Sequence, residues 1–222
     1  MNSALAGLVI LVLGDSHMVQ RDHLMIPLHD QLQNEGAIVH AYAMCGAQAA
    51  DWVTRSTVSC GIAEYHEKNP PIFVGSASEN KARPTWNVNE LIDKHRPNLV
   101  LIEMGDTMAG YGSPDLPKPW VYNQVRLLTG AIRGKNLPCV WVGPMWGHGG
   151  TSWHKDESRT REMSQLLSQS VAPCTYIDST AMSKPGEWPT TDGYHLTSAA
   201  YGTWARSITG AVVRWRTQTA QR

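Results

Sequence analysis

The chain has 222 residues, of which 42% are apolar, and carries 19 basic and 19 acidic side chains. That length suits one domain with a sizeable core, and the balance of charge leaves no electrostatic footprint for nucleic acid or an anionic membrane. No apolar run reaches the length of a bilayer span. In chain order, MNSALAG lacks the basic region of a secretory signal and leads directly into the first predicted strand, 8–13. Further apolar runs at 37–43, 98–104, 138–143 and 175–178 also read as strands; three of the five are nearly continuous in Val, Ile and Leu, as in strands buried on both faces. Between them lie helical patterns. Segment 22–34 spaces Leu24, Leu28 and Leu32 by four, 120–135 and 157–171 are amphipathic, and 198–216 closes the chain. Alternating strands and helices predict a three-layer α/β/α sandwich around a five-stranded parallel sheet, with the whole of 1–222 in one domain.

Residues 58–90, rich in Pro, Asn, Ser and Gly, are expected to form a long loop excursion between the second and third strands. Loops at 144–156 and 183–191 carry Trp146, Trp153 and Trp188 among small and polar residues. They fall near the carboxyl ends of strands, where ligand crevices of open α/β sheets form. Nine tryptophans against one phenylalanine is unusual, and these three are candidates for stacking on sugar rings. Packing into the core is the alternative for each of them.

The first strand ends in Gly14-Asp15-Ser16-His17, which puts a serine at the mouth of the sheet. Just before the last helix stands Thr191-Asp192-Gly193-Tyr194-His195-Leu196-Thr197. An Asp and a His three apart place a carboxylate against one imidazole nitrogen and leave the other free. That is the base half of a Ser-His-Asp triad. Asp15-Ser16-His17 and Gly105-Asp106 also imitate the opening motifs of metallophosphoesterases, but the Gly-Asn-His segment and further histidines of a two-metal centre are missing. No metal or other cofactor is expected. His17, His148 and His154 read as surface histidines or as supports behind the site. Cys45, Cys60, Cys139 and Cys174 show no zinc-type spacing. They are compatible with two disulfides in an exported protein or four thiols in a cytosolic one.

Taken together, GDSH, a glycine after the second strand (Met44-Cys45-Gly46-Ala47), Gly105-Asp106-Thr107-Met108 after the third, and DGYHLT before the last helix resemble the SGNH (GDSL-like) hydrolase superfamily. The resemblance runs over nearly the whole chain in the right order. It implies a flavodoxin-like sheet of order 2-1-3-4-5, with Ser16 as nucleophile, His195 as base and Asp192 as the acid that orients it. It also implies an oxyanion hole from the Ser16 amide, the Gly46 amide and an asparagine. Thr107 stands where that asparagine is expected, and a hydroxyl is a shorter donor than a carboxamide. The expected activity is that of a serine esterase removing an acyl group, acetyl by preference, from a carbohydrate. Two alternatives remain open: a polysaccharide O-acetyltransferase using the same acyl-enzyme, and a carbohydrate-binding domain weakened by the change to threonine. The GDSH variant, the 143–147 loop and DGYHLT resemble domains attached to bacterial exopolysaccharide acetylation. A carbohydrate partner, a monomer and a periplasmic or secreted location go with this reading, with the cytoplasm as the alternative.

Overall fold

The computed structural model describes residues 3–76, 78–147 and 155–220. Its elements in order are β1 (Val9–Gly14), α1 (Met25–Asn34), β2 (Ile38–Met44), β3 (Thr57–Val58), β4 (Ile62–His66), β5 (Ile72–Val74), β6 (Arg83–Pro84), α2 (Val88–His95) and β7 (Leu99–Glu103). They continue as α3 (Lys118–Gly134), β8 (Cys139–Val142), α4 (Glu157–Ser170), β9 (Thr175–Ile177) and α5 (Ser198–Ala220). The main sheet has seven strands in the order β5-β4-β2-β1-β7-β8-β9. From β2 to β9 every pairing is parallel, whereas β4 joins β2, and β5 joins β4, in antiparallel fashion. The expected five-stranded, all-parallel sheet is therefore corrected to a mixed seven-stranded one.

The two extra strands come from the 58–90 excursion, together with a small antiparallel ribbon of β3 and β6. They escaped a reading by apolar runs because β4 (IAEYH) is only half-buried and β5 is three residues long. Helix α2 was also unread, although its signal is present. Asn87 caps it, its side chain accepting from the Asn89 amide, and Glu90 follows in the first turn. Arg96 ends it in the left-handed conformation (φ 46°) immediately before Pro97.

Two cores sandwich the sheet. On one face, α1 and α5 bury Leu28, Leu32, Tyr201, Trp204 and Ile208 against Ile10, Val12, Val39 and Leu101. On the other, α2, α3 and α4 bury Leu91, Val125, Leu128, Met163 and Leu167 against Leu11, Leu13, Val100, Ile102 and Trp141. Strands β1, β7 and β8 supply both cores, which is why their sequences are continuous rather than alternating. Two disulfides, Cys45–Cys60 and Cys139–Cys174, close loops of 15 and 35 residues. Chain entropy alone assigns each about 3–4 kcal/mol of stabilisation. The first ties the loop after β2 to the segment between β3 and β4, and the second the start of β8 to the segment before β9. No helix among the described residues is long and apolar enough to cross a membrane.

Candidate active site

Strand β1 runs out at Gly14, and the chain turns at once into a single 3-10 turn, Ser16–Met18. Asp15 caps that turn, its Oδ1 accepting from the His17 amide at 3.1 Å. The turn lifts the Ser16 hydroxyl out of the sheet into a cavity of about 590 Å³. The loop after β2 brings Gly46 to the same cavity with φ 75°, a conformation that favours glycine. The amides of Ser16 and Gly46 take no part in the turn and loop hydrogen bonds around them. Thr107, in the turn after β7, lines the cavity too, and its buried Oγ1 has no hydrogen-bond partner. Leaving a hydroxyl so placed costs about 1–3 kcal/mol unless something else binds it.

The opposite wall comes from the loop before α5. An isolated bridge between Thr190 and Leu196 pins its ends, and Gly193 turns it with φ 84°. Asp192 Oδ1 accepts from the amides of Tyr194 (2.9 Å) and His195 (2.6 Å), while Oδ2 meets His195 Nδ1 at 2.8 Å. His195 Nε2 lies 3.0 Å from Ser16 Oγ. Partial burial would push the Asp192 carboxyl up, but the hydrogen bonds from the His195 ring and the two amides outweigh it and hold the group below its ordinary value. Ser16, His195 and Asp192, the three residues singled out in the sequence, therefore form one continuous hydrogen-bonded chain across the cavity.

Sequence reasoning missed His23. Its ring stacks on His195 at 5.2 Å between centroids, and its Nδ1 donates to the Ser16 carbonyl oxygen at 3.0 Å. Burial pushes its pKa down, so at neutral pH it is an uncharged ring that braces the imidazole without repelling an imidazolium. Only its position seven residues after Ser16, with a turn between, hinted at this proximity.

A layer of charge lies behind the serine. Asp106 is buried and accepts from His17 Nε2 (2.8 Å), Lys155 Nζ (2.5 Å) and the Tyr111 hydroxyl (2.7 Å). Burial alone would raise its pKa; Lys155 and His17 reverse that and hold it well below the usual carboxylate range. His17 also accepts from the Tyr201 hydroxyl at 2.7 Å and stacks on Tyr194. Burial takes its pKa down to about 3, so it stays neutral. Asp106 is thus an ionised anchor for His17 and Lys155. The His17 and Asp106 side chains do converge, and the charge that meets Asp106 is the Lys155 side chain. Among the described residues, the one group of three side chains able to hold an ion lies elsewhere.

Two further carboxyls in this layer sit above their ordinary range, Asp15 at about 7 and Glu103 also raised, each chiefly through burial and then through neighbouring carboxylates. Asp15 is an acid whose folded pKa exceeds its unfolded value. Folding therefore takes up a proton between about pH 4 and 7, and Asp15 costs stability as pH rises through that window. Asp15→Asn keeps the capping acceptor and removes the charge. The variant is expected to be more stable than the native chain at pH 8 by a few kcal/mol, and to show no advantage at pH 4. Urea unfolding at the two pH values checks this; an equal difference at both would contradict it.

The tryptophans require a correction. Trp146 is 5% exposed, and its indole N–H is shared between the carbonyls of Thr180 and Ser183, 2.9 Å from each. Trp188 is 8% exposed and belongs to the core beneath α5. Neither lines the cavity, because the apolar area of an indole is worth more inside than at a polar mouth. Trp153, like His148 and His154, lies outside the described residues. The aromatic rings on the cavity wall are instead Tyr111 and Tyr194.

No protein-family model matches the chain. Protein BcsX of Komagataeibacter xylinus is 41% identical over 214 residues, spanning 96% of this chain and 79% of that one. Among solved structures, a mutant acetyl esterase with an acetate ion superposes with a TM-score of 0.60 at 13% identity, covering 96% of this chain and 99% of the other. A carbohydrate esterase of family 3 from Talaromyces cellulolyticus gives 0.59 at 14% identity, with 95% and 99% covered. A peptidoglycan O-acetylesterase gives 0.56 at 10%, with 98% and 93% covered. At these identities the structures share the fold.

Proposed function

The chain belongs to the family of Protein BcsX, and from its fold and site we propose that it is an SGNH (GDSL-like) serine esterase acting on acetyl esters of a carbohydrate. The observation that carries the reading is the unbroken contact chain from Ser16 Oγ through His195 to Asp192, opening on a cavity. Ser16 Oγ attacks the ester carbonyl while its proton passes to His195 Nε2. Asp192 holds the Nδ1–H and stabilises the imidazolium. The oxyanion meets the amides of Ser16 and Gly46 and the Thr107 hydroxyl. As the tetrahedral species collapses, His195 returns the proton to the leaving alcohol and acetyl-Ser16 remains. Water then attacks the acetyl carbonyl as His195 takes its proton, and His195 returns that proton to Ser16 Oγ as the acyl bond breaks and acetate leaves.

Acetyl as the acyl group and a sugar as the alcohol are supported by the acetyl esterase, carbohydrate esterase and peptidoglycan O-acetylesterase that share the fold. Two formed disulfides support a periplasmic or secreted location. Transfer of the same acetyl group to a sugar hydroxyl needs no other residue, and product analysis with an acetyl donor and an oligosaccharide acceptor separates the two outcomes.

The direct test is to mix the protein with p-nitrophenyl acetate or a fluorophosphonate and locate the adduct by peptide mass spectrometry. The expected adduct is on the peptide carrying Ser16. An adduct confined to another residue sinks the proposal, and no adduct together with no turnover leaves a sugar-binding domain as the better reading. A second prediction concerns the departure from asparagine. Thr107→Val keeps the shape and deletes the hydroxyl. It is expected to lower kcat by roughly 10²-fold, with unchanged or slightly higher Tm, since Oγ1 has no partner to lose. An unchanged kcat would remove Thr107 from the oxyanion hole.

A further inference from the structure

Three histidines meet on the sheet face that α2 covers, at the end remote from Ser16. His40 lies on β2, His66 on β4 directly opposite it in the antiparallel register, and His95 is the last residue of α2. One nitrogen from each comes within 4.8 Å of the other two. The His40 and His95 rings are stacked with centroids 3.9 Å apart, and His66 lies 5.5 Å from both. Strand rise puts His40 roughly 20 Å from Gly46 along β2, so this cluster and the esterase cavity are separate places.

Two features mark it as more than a packing accident. His40 is 7% exposed, yet its Nδ1 is buried with no hydrogen-bond partner, and the Nδ1 of His66 is in the same condition. Buried polar atoms are rarely left so, because each costs about 1–3 kcal/mol. The remaining contacts are those that prepare imidazoles to be ligands. His66 Nε2 donates to Glu64 Oε2 at 2.9 Å, and His95 Nε2 meets the Tyr42 hydroxyl at 2.8 Å. For His66, donation to the carboxylate fixes the tautomer and leaves Nδ1 as a lone pair.

We propose that His40, His66 and His95 bind a divalent transition-metal ion, zinc by preference, with water completing its coordination. Neutral imidazoles select the borderline cations over magnesium or calcium. A tetrahedral zinc needs nitrogens about 3.3 Å apart, closer than the 4.8 Å within which these lie, so binding turns the rings inward and opens the His40–His95 stack. The Glu64 carboxylate behind His66 supplies the carboxylate–histidine–metal arrangement, and Glu67 adds a second negative charge nearby. Lys94, held 3.0 Å from the Tyr42 hydroxyl, is the opposing charge. Bound there, the ion fastens the antiparallel addition β4 and the end of α2 to the parallel core.

The test is calorimetric titration of the chelator-treated full chain with zinc chloride, repeated with cobalt(II) and followed by its visible d–d bands. One equivalent should bind with micromolar or tighter affinity and raise Tm by about 5–10 °C at saturating zinc. His66→Gln and His95→Gln, at the less buried positions, should each weaken binding at least tenfold while folding normally. His195→Ala should bind as the native chain does, which separates this site from the imidazoles of the cavity. No saturable binding by the native chain, or binding that survives both His66→Gln and His95→Gln, overturns the proposal and leaves a metal-free histidine stack.

Discussion

His195→Ala is expected to lower kcat for p-nitrophenyl acetate by about 10⁴-fold or more, and Ser16→Ala by a similar factor. The reason lies in how the proton moves. In the proposed mechanism the Ser16 hydroxyl is a weak nucleophile until its proton has a destination, and His195 Nε2, 3.0 Å away, supplies it. Removing either partner deletes the same step, so the double variant should lose little more than each single one. Asp192→Asn should also cost several orders of magnitude, because an amide N–H in place of Oδ2 favours the tautomer with its proton on the wrong nitrogen. His23→Ala belongs to a different class. It removes a ring that stacks on the base and a hydrogen bond to the Ser16 carbonyl, without removing a proton acceptor. Comparing kcat and KM across these four variants, with Tm measured for each, distinguishes lost chemistry from lost structure. A native-like kcat in Ser16→Ala would end the mechanism.

The contact chain of Ser16, His195 and Asp192 was legible because each of its parts is local. A serine immediately beyond a strand and an Asp-x-x-His before a helix each declare themselves within a few residues, and βαβ handedness brings carboxyl ends of parallel strands to one edge. What escaped the sequence is what depends on distant partners. Asp106 looks like half of a metal motif until Lys155 and His17, far away in the chain, are seen on its oxygens. The histidines at 40, 66 and 95 have no motif spacing, since a strand, its antiparallel neighbour and a helix end supply one each. The two edge strands are too short and too exposed to show an apolar run. Tryptophan misled for a chemical reason: the same ring suits a sugar and a core, and Trp146 and Trp188 found carbonyls or apolar neighbours inside.

Lys155→Met is expected to destabilise the protein by about 3–5 kcal/mol near neutral pH, a fall in Tm of roughly 10 °C for a chain of this size. The side chains of Lys155 and Asp106 are almost wholly buried. The pair repays its desolvation only because Asp106 also accepts from His17 and Tyr111. Without the ammonium, the carboxylate keeps two neutral donors and faces Asp15 and Glu103 unopposed. In the native chain its folded pKa lies below the unfolded value, so it contributes stability above about pH 4 that is lost as pH falls. In the variant, burial becomes the dominant influence and the sign reverses: the folded carboxyl holds its proton, and the deficit grows as pH rises from 4 to 8. Adding Asp106→Asn should recover much of the loss, giving a double variant more stable than the sum of the single changes implies. Urea unfolding of the three variants at pH 5 and pH 8 measures both effects. A deficit under about 1 kcal/mol that is equal at the two pH values would mean that water, and not Lys155, carries the charge of Asp106.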